Sequence, residues 1–272
     1  MPELPEVETI ARDLRKSVRG QRIEKIEICD ARVVRHPRPE DFVRDLAGQT
    51  LTAFSRRGKM ILAALMPSRK FLIIQLMMTG QLVYGKELAR TSATKLIFLL
   101  SNQYRLHYND HRLFGRLQIV DDLKKVSYLQ TIGPEPLGPH FTLSWLNHEL
   151  KKKTAPIKSL LMNQNFVAGI GNIYASEILF HCRIHPQRPA KSLRKGEVEG
   201  LHQATIDVLK EAVKRRGTSM NTYRDGRGRK GRFYRQIRVY GREKENCFLC
   251  KAPLQKVVLS GRSTFYCKDC QH

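Results

Sequence analysis

Four cysteines, Cys247, Cys250, Cys267 and Cys270, form two C-x2-C pairs with sixteen residues between them. Each pair supplies two thiolates from one tight turn, and two such knuckles suit tetrahedral coordination of a single zinc ion. Four protein ligands leave no open position, so the expected zinc is structural. Two disulfides would satisfy the same count, but the acidic N-terminus is not a basic region followed by an apolar signal core. Cys29 and Cys182 stand alone among apolar neighbours and read as small buried hydrophobes.

The opposite end offers different chemistry in "MPELPEVETI". Removal of the initiator methionine would expose the secondary amine of Pro2. An α-amino group titrates near ~8, well below the ~10.4 of lysine, so a nucleophilic fraction exists at neutral pH. Such an amine attacks a carbonyl or hemiacetal carbon and forms an iminium, and Glu3 is placed to move protons. A helix N-terminus lowers the amine's pKa, whereas Glu3 and Glu6 raise it. The same residues also fit a purely structural account, with proline at the start of a helix and acids complementing its dipole. Two other groups invite chemistry. Lys59 follows a glycine in "RRGKM", either as a second catalytic cation or as one of many solvated lysines. The Gly169-x-Gly171 turn before Asn172 presents helix N-terminal amides to a phosphate, or simply joins two helices.

These groups need elements to position them. Val7, Ile10, Leu14 and Val18 recur at helical spacing and end at Gly20, which predicts an N-terminal helix. Runs rich in β-branched and aromatic residues follow at 22–28, 50–54, 60–65, 71–78, 95–100, 104–108 and 116–120, separated by turn signals. Without long helices between them they predict an antiparallel sandwich or barrel. "GPEPLGP" at 133–139 reads as a linker. Helical patterns then cover 142–152, 156–164, 172–182 and 194–216. The basic, glycine-rich stretch 224–238 reads as a mobile loop. Residues 256–266 read as a β-hairpin turning at Ser260-Gly261, with Arg262 at its tip.

With 49 Lys and Arg against 25 Asp and Glu, the chain carries a formal charge of +24. That excess predicts a polyanionic partner, since phosphate contacts dominate nucleic-acid affinity. An anionic membrane surface is the alternative, but no apolar run approaches the ~20 residues of a spanning helix. The expected protein is soluble, intracellular and monomeric.

Taken together, these motifs resemble the formamidopyrimidine-DNA glycosylase family, bacterial base-excision enzymes for oxidised purines. "MPELPEVET", "RRGK" (56–59), "GPEPL" (133–137), "GNIYASE" (171–177) and the four-cysteine finger occur in family order and spacing. The resemblance implies an α+β multidomain protein. An N-terminal helix and β-sandwich would occupy 1–132, a linker 133–139, a helix–two-turn–helix domain 140–236 and a β-hairpin zinc finger 237–272. The partner would be double-stranded DNA, holding oxidised bases or abasic sites, crossing the cleft between domains. Pro2 is implied to attack C1′ of the damaged nucleoside, with Glu3 as acid/base, Lys59 on phosphate and sugar, and β- then δ-elimination following. Glu6 would support the site. Met78, Arg112 and Phe114 would fill the hole left by the extruded base. Lys158, Asn172 and Arg262 would hold the DNA backbone, and the basic loop around 218–238 would close over the base.

The sequence departs from the family pattern at Gln75, at "ATK" (93–95) and at Leu113, which puts DNA register and opposite-base preference in question. An endonuclease VIII-like enzyme for oxidised pyrimidines shares the architecture, but Leu4 and the Met-Arg-Phe positions favour the purine branch. A non-catalytic zinc-stabilised DNA-binding protein would not need Pro2, Glu3 and Lys59 together.

Overall fold

The computed structural model describes residues 1–220 and 222–272; Asn221, inside the expected closing loop, lies outside the described residues. The chain forms two compact units. Unit 1 comprises Met1–Thr131 with Arg215–Tyr234, and unit 2 comprises Ile132–Lys214 with Arg235–His272.

Unit 1 begins with α1 (Leu4–Ser17), which carries a proline in its first turn and Arg15 and Lys16 in its last. Leu4, Val7, Ile10, Ala11 and Leu14 make one fully buried face, the 3.6-residue repeat of an amphipathic helix. Nine strands build two sheets. One has the order β1 (Ile23–Ile28), β7 (Thr94–Leu100), β8 (Arg105–Asn109), β6 (Gln81–Gly85). The other has the order β2 (Val34–His36), β9 (Arg116–Val120), β5 (Phe71–Gln75), β4 (Met60–Met66), β3 (Thr50–Arg57). Alternate residues of both sheets, among them Ile26, Phe98, Leu106, Ile61, Leu72 and Leu117, join the α1 face in one core. The other side of the five-stranded sheet, at Met60, Leu62 and Ile73, is covered by Leu123, Val126 and Leu129, the last in the short helix α3 (Ser127–Thr131).

Differences from the sequence reading have local causes. The strand expected over 71–78 stops at Gln75, because Met77 adopts φ 49° and the Gly80 N–H returns to Leu76 O at 2.8 Å. The short β6 and the helix α2 (Pro39–Leu46) are additional elements. Residues 224–238 were expected to be mobile, yet most of them are tied into unit 1. Tyr84 N–H donates to Gly226 O at 2.8 Å, Arg232 N–H to Arg215 O at 2.8 Å and Phe233 N–H to Gly217 O at 3.0 Å.

Unit 2 holds α4 (Leu143–Lys151), α5 (Ile157–Met162), α6 (Asn172–His181) and α7 (Lys195–Lys214). The proline-rich stretch expected as a linker is packed: Gly133 N–H donates to Gln164 O and Ala168 N–H to Pro134 O, at 2.8 and 3.0 Å. A Cβ at Gly133 would lie 2.2 Å from Phe166 O, so glycine is required there. The unit closes with the hairpin β10 (Gln255–Leu259) and β11 (Arg262–Tyr266), turning at Ser260-Gly261 as expected. Among the described residues no helix is long and apolar enough to cross a membrane.

Candidate active site

In unit 1, Pro2 and Glu3 are buried at the start of α1, and Glu3 is 3% exposed. A reciprocal capping box holds them: Glu3 is the N-cap and its N–H donates to Glu6 Oε2 at 2.8 Å. This is the capping pattern that satisfies orphan helix donors. The second oxygen of Glu6, Oε1, accepts the Thr218 N–H at 2.7 Å. One buried carboxylate therefore fixes both the N-terminal backbone and the start of the 218–234 segment. Gly217 is needed beside it, since its φ is +78° and a Cβ would sit 2.7 Å from Glu6 Oε1.

The same segment is held along α1 by a second node. Asp13 Oδ2 accepts from Arg216 at 2.5 Å and from the Gly226 N–H at 3.1 Å. Buried Asp225 accepts from Arg216 Nε at 2.8 Å and from the Arg227 and Arg229 amides at 2.9 Å each. Burial pushes the Asp225 carboxyl up, but the amides and Arg216 outweigh it and hold it below the usual carboxylate range.

Lys59 belongs to the two-residue turn Gly58-Lys59 between β3 and β4, with Gly58 at φ 55°. This is the loop of a tight β-hairpin. Arg56 bolts the turn to the helix, donating to Glu8 Oε2 at 3.0 Å and to Gly58 O at 2.8 Å. Arg15 adds two bonds from α1 to Phe54 O at 2.9 and 3.0 Å. Thus the helix carrying Pro2 and the hairpin carrying Lys59 are fixed to one another within unit 1. Sequence reasoning missed Glu8 and Arg56; a carboxylate on the polar face of a first helix gives no sign of its partner 48 residues away.

Met78 lies in the turn after β5, and Arg112 and Phe114 lie in the loop between β8 and β9. Phe114 is 48% exposed, and the Arg112 guanidinium lies 4.8 Å from its ring centroid. A large exposed aromatic stacked by a cation is poised for contact with a partner. Leu113 turns the other way, with φ 58°, and packs on the core. The departures at Gln75 and Lys95 are both engaged internally, with Met60 Sδ and Ser92 O. A cavity of about 620 Å³ lined by His36, Asp45, Lys70, Gln118, Asp121 and Lys125 contains none of these candidate residues.

In unit 2 the two turns between α5 and α6 are tied by Gln164, whose Nε2 donates to Met162 O and Ile170 O at 2.9 and 2.8 Å. Its Oε1 accepts the Gly169 N–H at 2.8 Å. Asn172 Nδ2 donates to Ser263 O at 2.9 Å. Buried Lys158 donates to Thr264 Oγ1 at 2.8 Å and to Ser263 O at 3.2 Å. Both residues thus brace the hairpin beside exposed Arg262. A cavity of about 230 Å³ opens there, lined by Lys158, Ser159, Asn163, Ser260 and Arg262. Its cationic lining suits a phosphate. Glu177, unremarked in sequence, is fully buried and accepts the Arg238, Val239 and Tyr240 amides at 2.7, 3.0 and 2.9 Å. It sets the path of the chain into the finger.

Cys247, Cys250, Cys267 and Cys270 bring their sulfurs within 4.8 Å of one another. Tetrahedral zinc with Zn–S bonds of about 2.3 Å needs sulfurs roughly 3.8 Å apart, and the 3.9 Å between Cys247 and Cys270 Sγ fits. The four thiolates would complete the ion's coordination, so zinc supplies folding energy there and no chemistry.

Comparisons with known proteins agree with this geometry. Residues 1–117 match the formamidopyrimidine-DNA glycosylase N-terminal domain, and residues 132–224 match the formamidopyrimidine-DNA glycosylase H2TH domain. The chain is 42% identical to formamidopyrimidine-DNA glycosylase of Desulforamulus reducens over 275 aligned positions, covering 100% of this chain and 99% of the relative. The crystal structure of MutM (Fpg) from Thermus thermophilus superposes with TM-score 0.89 at 37% identity, covering 99% and 98% of the two chains. A Lactococcus lactis Fpg in complex with abasic-site DNA superposes with TM-score 0.92 at 34% identity, covering 99% of each chain.

Proposed function

The chain belongs to the formamidopyrimidine-DNA glycosylase family, and on that premise we propose that it excises oxidised purines from double-stranded DNA and then cleaves the abasic site through its N-terminal proline. The observation carrying this reading is the buried Pro2-Glu3 terminus, held by Glu6 and braced to the Lys59 turn. With Met1 attached the Pro2 nitrogen is an amide and inert, so removal of Met1 is the activating step. The free nitrogen then attacks C1′ of an extruded nucleotide, the C1′–N bond breaks, and the base leaves with a proton relayed by Glu3. Opening of the sugar leaves an iminium between Pro2 and C1′. That cation acidifies the C2′ proton; its loss expels the 3′ phosphate, and a second elimination expels the 5′ phosphate. Lys59 is the cation for phosphate and sugar. Met78, Arg112 and Phe114 occupy the vacated stack, while Lys158, Asn172 and Arg262 organise the backbone-binding end of unit 2. In this reading the protein works as a monomer in the bacterial cytoplasm, associated with the nucleoid.

Borohydride reduction of the iminium tests the reading. Duplex carrying 8-oxoguanine should yield a covalent complex whose modified residue is Pro2, and Pro2→Gly should lose both adduct and excision. An adduct elsewhere, or undiminished excision by Pro2→Gly, refutes it. Faster turnover of thymine glycol than of 8-oxoguanine would assign the oxidised-pyrimidine branch instead, and failure to trap any adduct on abasic DNA would indicate a pure binder.

A further inference from the structure

The two loops that carry Met78 and the Arg112–Phe114 pair are separated by thirty-odd residues of chain, yet one buried carboxylate joins them. Asp110 is fully buried. Its Oδ1 accepts the Thr79 hydroxyl and, at 3.2 Å, the Arg112 N–H; its Oδ2 accepts the Gly115 N–H at 2.8 Å. The Thr79 hydroxyl in turn accepts the Arg112 N–H at 3.0 Å. Asp110 thus brackets the whole 112–115 turn from its own loop, and Thr79, the residue after Met78, closes the second loop onto it. Asp110 N–H is itself fixed on Ala93 O at 2.7 Å.

Steric facts point the same way. The Tyr108 hydroxyl is buried without a hydrogen-bond partner among the described residues, and Gly80 and Gly115 of the two loops close over it. A Cβ at Gly80 would lie 2.8 Å from that oxygen and one at Gly115 only 1.5 Å away. Each loop also holds one non-glycine residue at positive φ, Met77 at 49° and Leu113 at 58°, conformations that persist only where surrounding contacts enforce them. Charge-assisted bonds to Asp110 are suited to that task.

We infer that Thr79 and Asp110 are positioning residues that lock the Met78 and Arg112–Phe114 loops into a single wedge, so that the three side chains enter the DNA stack together. The inference rests on the void-filling role proposed above for those side chains. It predicts that loosening the lock penalises extrusion of an intact nucleotide more than chemistry at a site whose base is already absent, because unstacking is the step the wedge assists.

Thr79→Val keeps the side-chain shape and removes the hydroxyl. Single-turnover excision of 8-oxoguanine from a duplex should slow about tenfold, the loss of one hydrogen bond to a charged acceptor. Strand cleavage at a preformed abasic site in the same duplex should change by less than about threefold, since little remains to unstack. Thr79→Ser, which retains the donor, should restore excision to within about threefold of the parent. A 2-aminopurine beside the lesion should report wedge entry slowed in parallel with excision. If Thr79→Val does not fold, Asp110→Asn carries the same comparison, since it places an amide donor against the Arg112 or Gly115 N–H. Excision at the parental rate, equal slowing on both substrates, or no rescue by serine overturns the lock. Met78→Ala and Phe114→Ala, assayed alongside, separate the two readings. If neither slows excision, the wedge role fails and the lock with it; if they do and Thr79→Val does not, the lock alone fails.

Discussion

Glu6 illustrates how much one side chain can coordinate. Its two oxygens accept from Glu3 and Thr218, so the residue joins the first turn of α1 to a segment more than two hundred positions later. A mid-helix acid cannot do this; the N3 position can, because its side chain reaches back to the N-cap. In the proposed mechanism Glu3 is the residue whose chemistry is separable from the nucleophile's. Glu3→Gln preserves size and burial but cannot shuttle a proton. Excision of 8-oxoguanine should fall by roughly 10²-fold or more, the usual contribution of a general acid/base, as measured by single-turnover product analysis. Borohydride trapping on a preformed abasic site should survive, because the Pro2 amine is untouched.

At the scale of elements, the finger and the helices of unit 2 depend on two kinds of fastening. The finger's core is small: Val239, Cys247, Leu254 and Cys267 pack on Phe180 of α6, with Phe265 and Cys270 alongside. Stripping zinc with a strong chelator should therefore unfold the hairpin and release Arg262 from the Lys158–Asn172 brace. DNA affinity should drop steeply while far-UV circular dichroism changes little, and added zinc should restore binding. The start of α7 is fastened electrostatically. Arg188 grips Glu197 with both terminal nitrogens, at 2.5 and 2.9 Å, and the Arg194 N–H donates to it at 2.7 Å. Those bonds, the guanidinium's above all, hold the Glu197 carboxyl down at about 2 against an ordinary value of 4.5. Because the folded value lies below the unfolded one, the stabilisation is fully present above about pH 4.5 and is lost as pH falls towards 2. Glu197→Gln should lower the melting temperature at pH 7. The gap to the parent should narrow through that acid window, as scanning calorimetry across pH would show.

For the whole molecule, the excess of 49 basic over 25 acidic side chains governs encounter with DNA before any lesion is sensed. Affinity for undamaged duplex should fall by about 10³-fold or more between 50 and 200 mM salt if six or more phosphates are neutralised. Fluorescence anisotropy across a salt series measures the slope. Excision at saturating protein should be far less sensitive, since it depends on the packed end of α1. The chain's route also matters at this scale. It leaves unit 1 after Thr131 and returns to it over Arg215–Tyr234 before completing unit 2. The return supplies Thr218, the partner of Glu6, and Arg216, which pairs with Asp13 on α1 and with Asp225 of its own segment.

The sequence by itself determined what depends on local pattern and on residue chemistry. The face of α1, most of the sandwich strands, the hairpin turn at Ser260-Gly261 and the spacing of the four zinc ligands all follow from short-range periodicity and turn chemistry. Pro2 and Glu3 fit the start of a capped helix as well as an amine–acid pair, so the resemblance to the family motifs supplied their proposed roles as it did those of the rest. Only the tertiary structure decided which distant groups meet: Arg56 with Glu8, Glu177 with the amides at 238–240, Asp110 with Thr79, and the anchoring of the 215–234 segment on α1. The physical reason is that a buried hydrogen bond between remote segments leaves no periodic trace in either one. Its residues are ordinary polar side chains until the core brings them together and removes the water that would otherwise satisfy them.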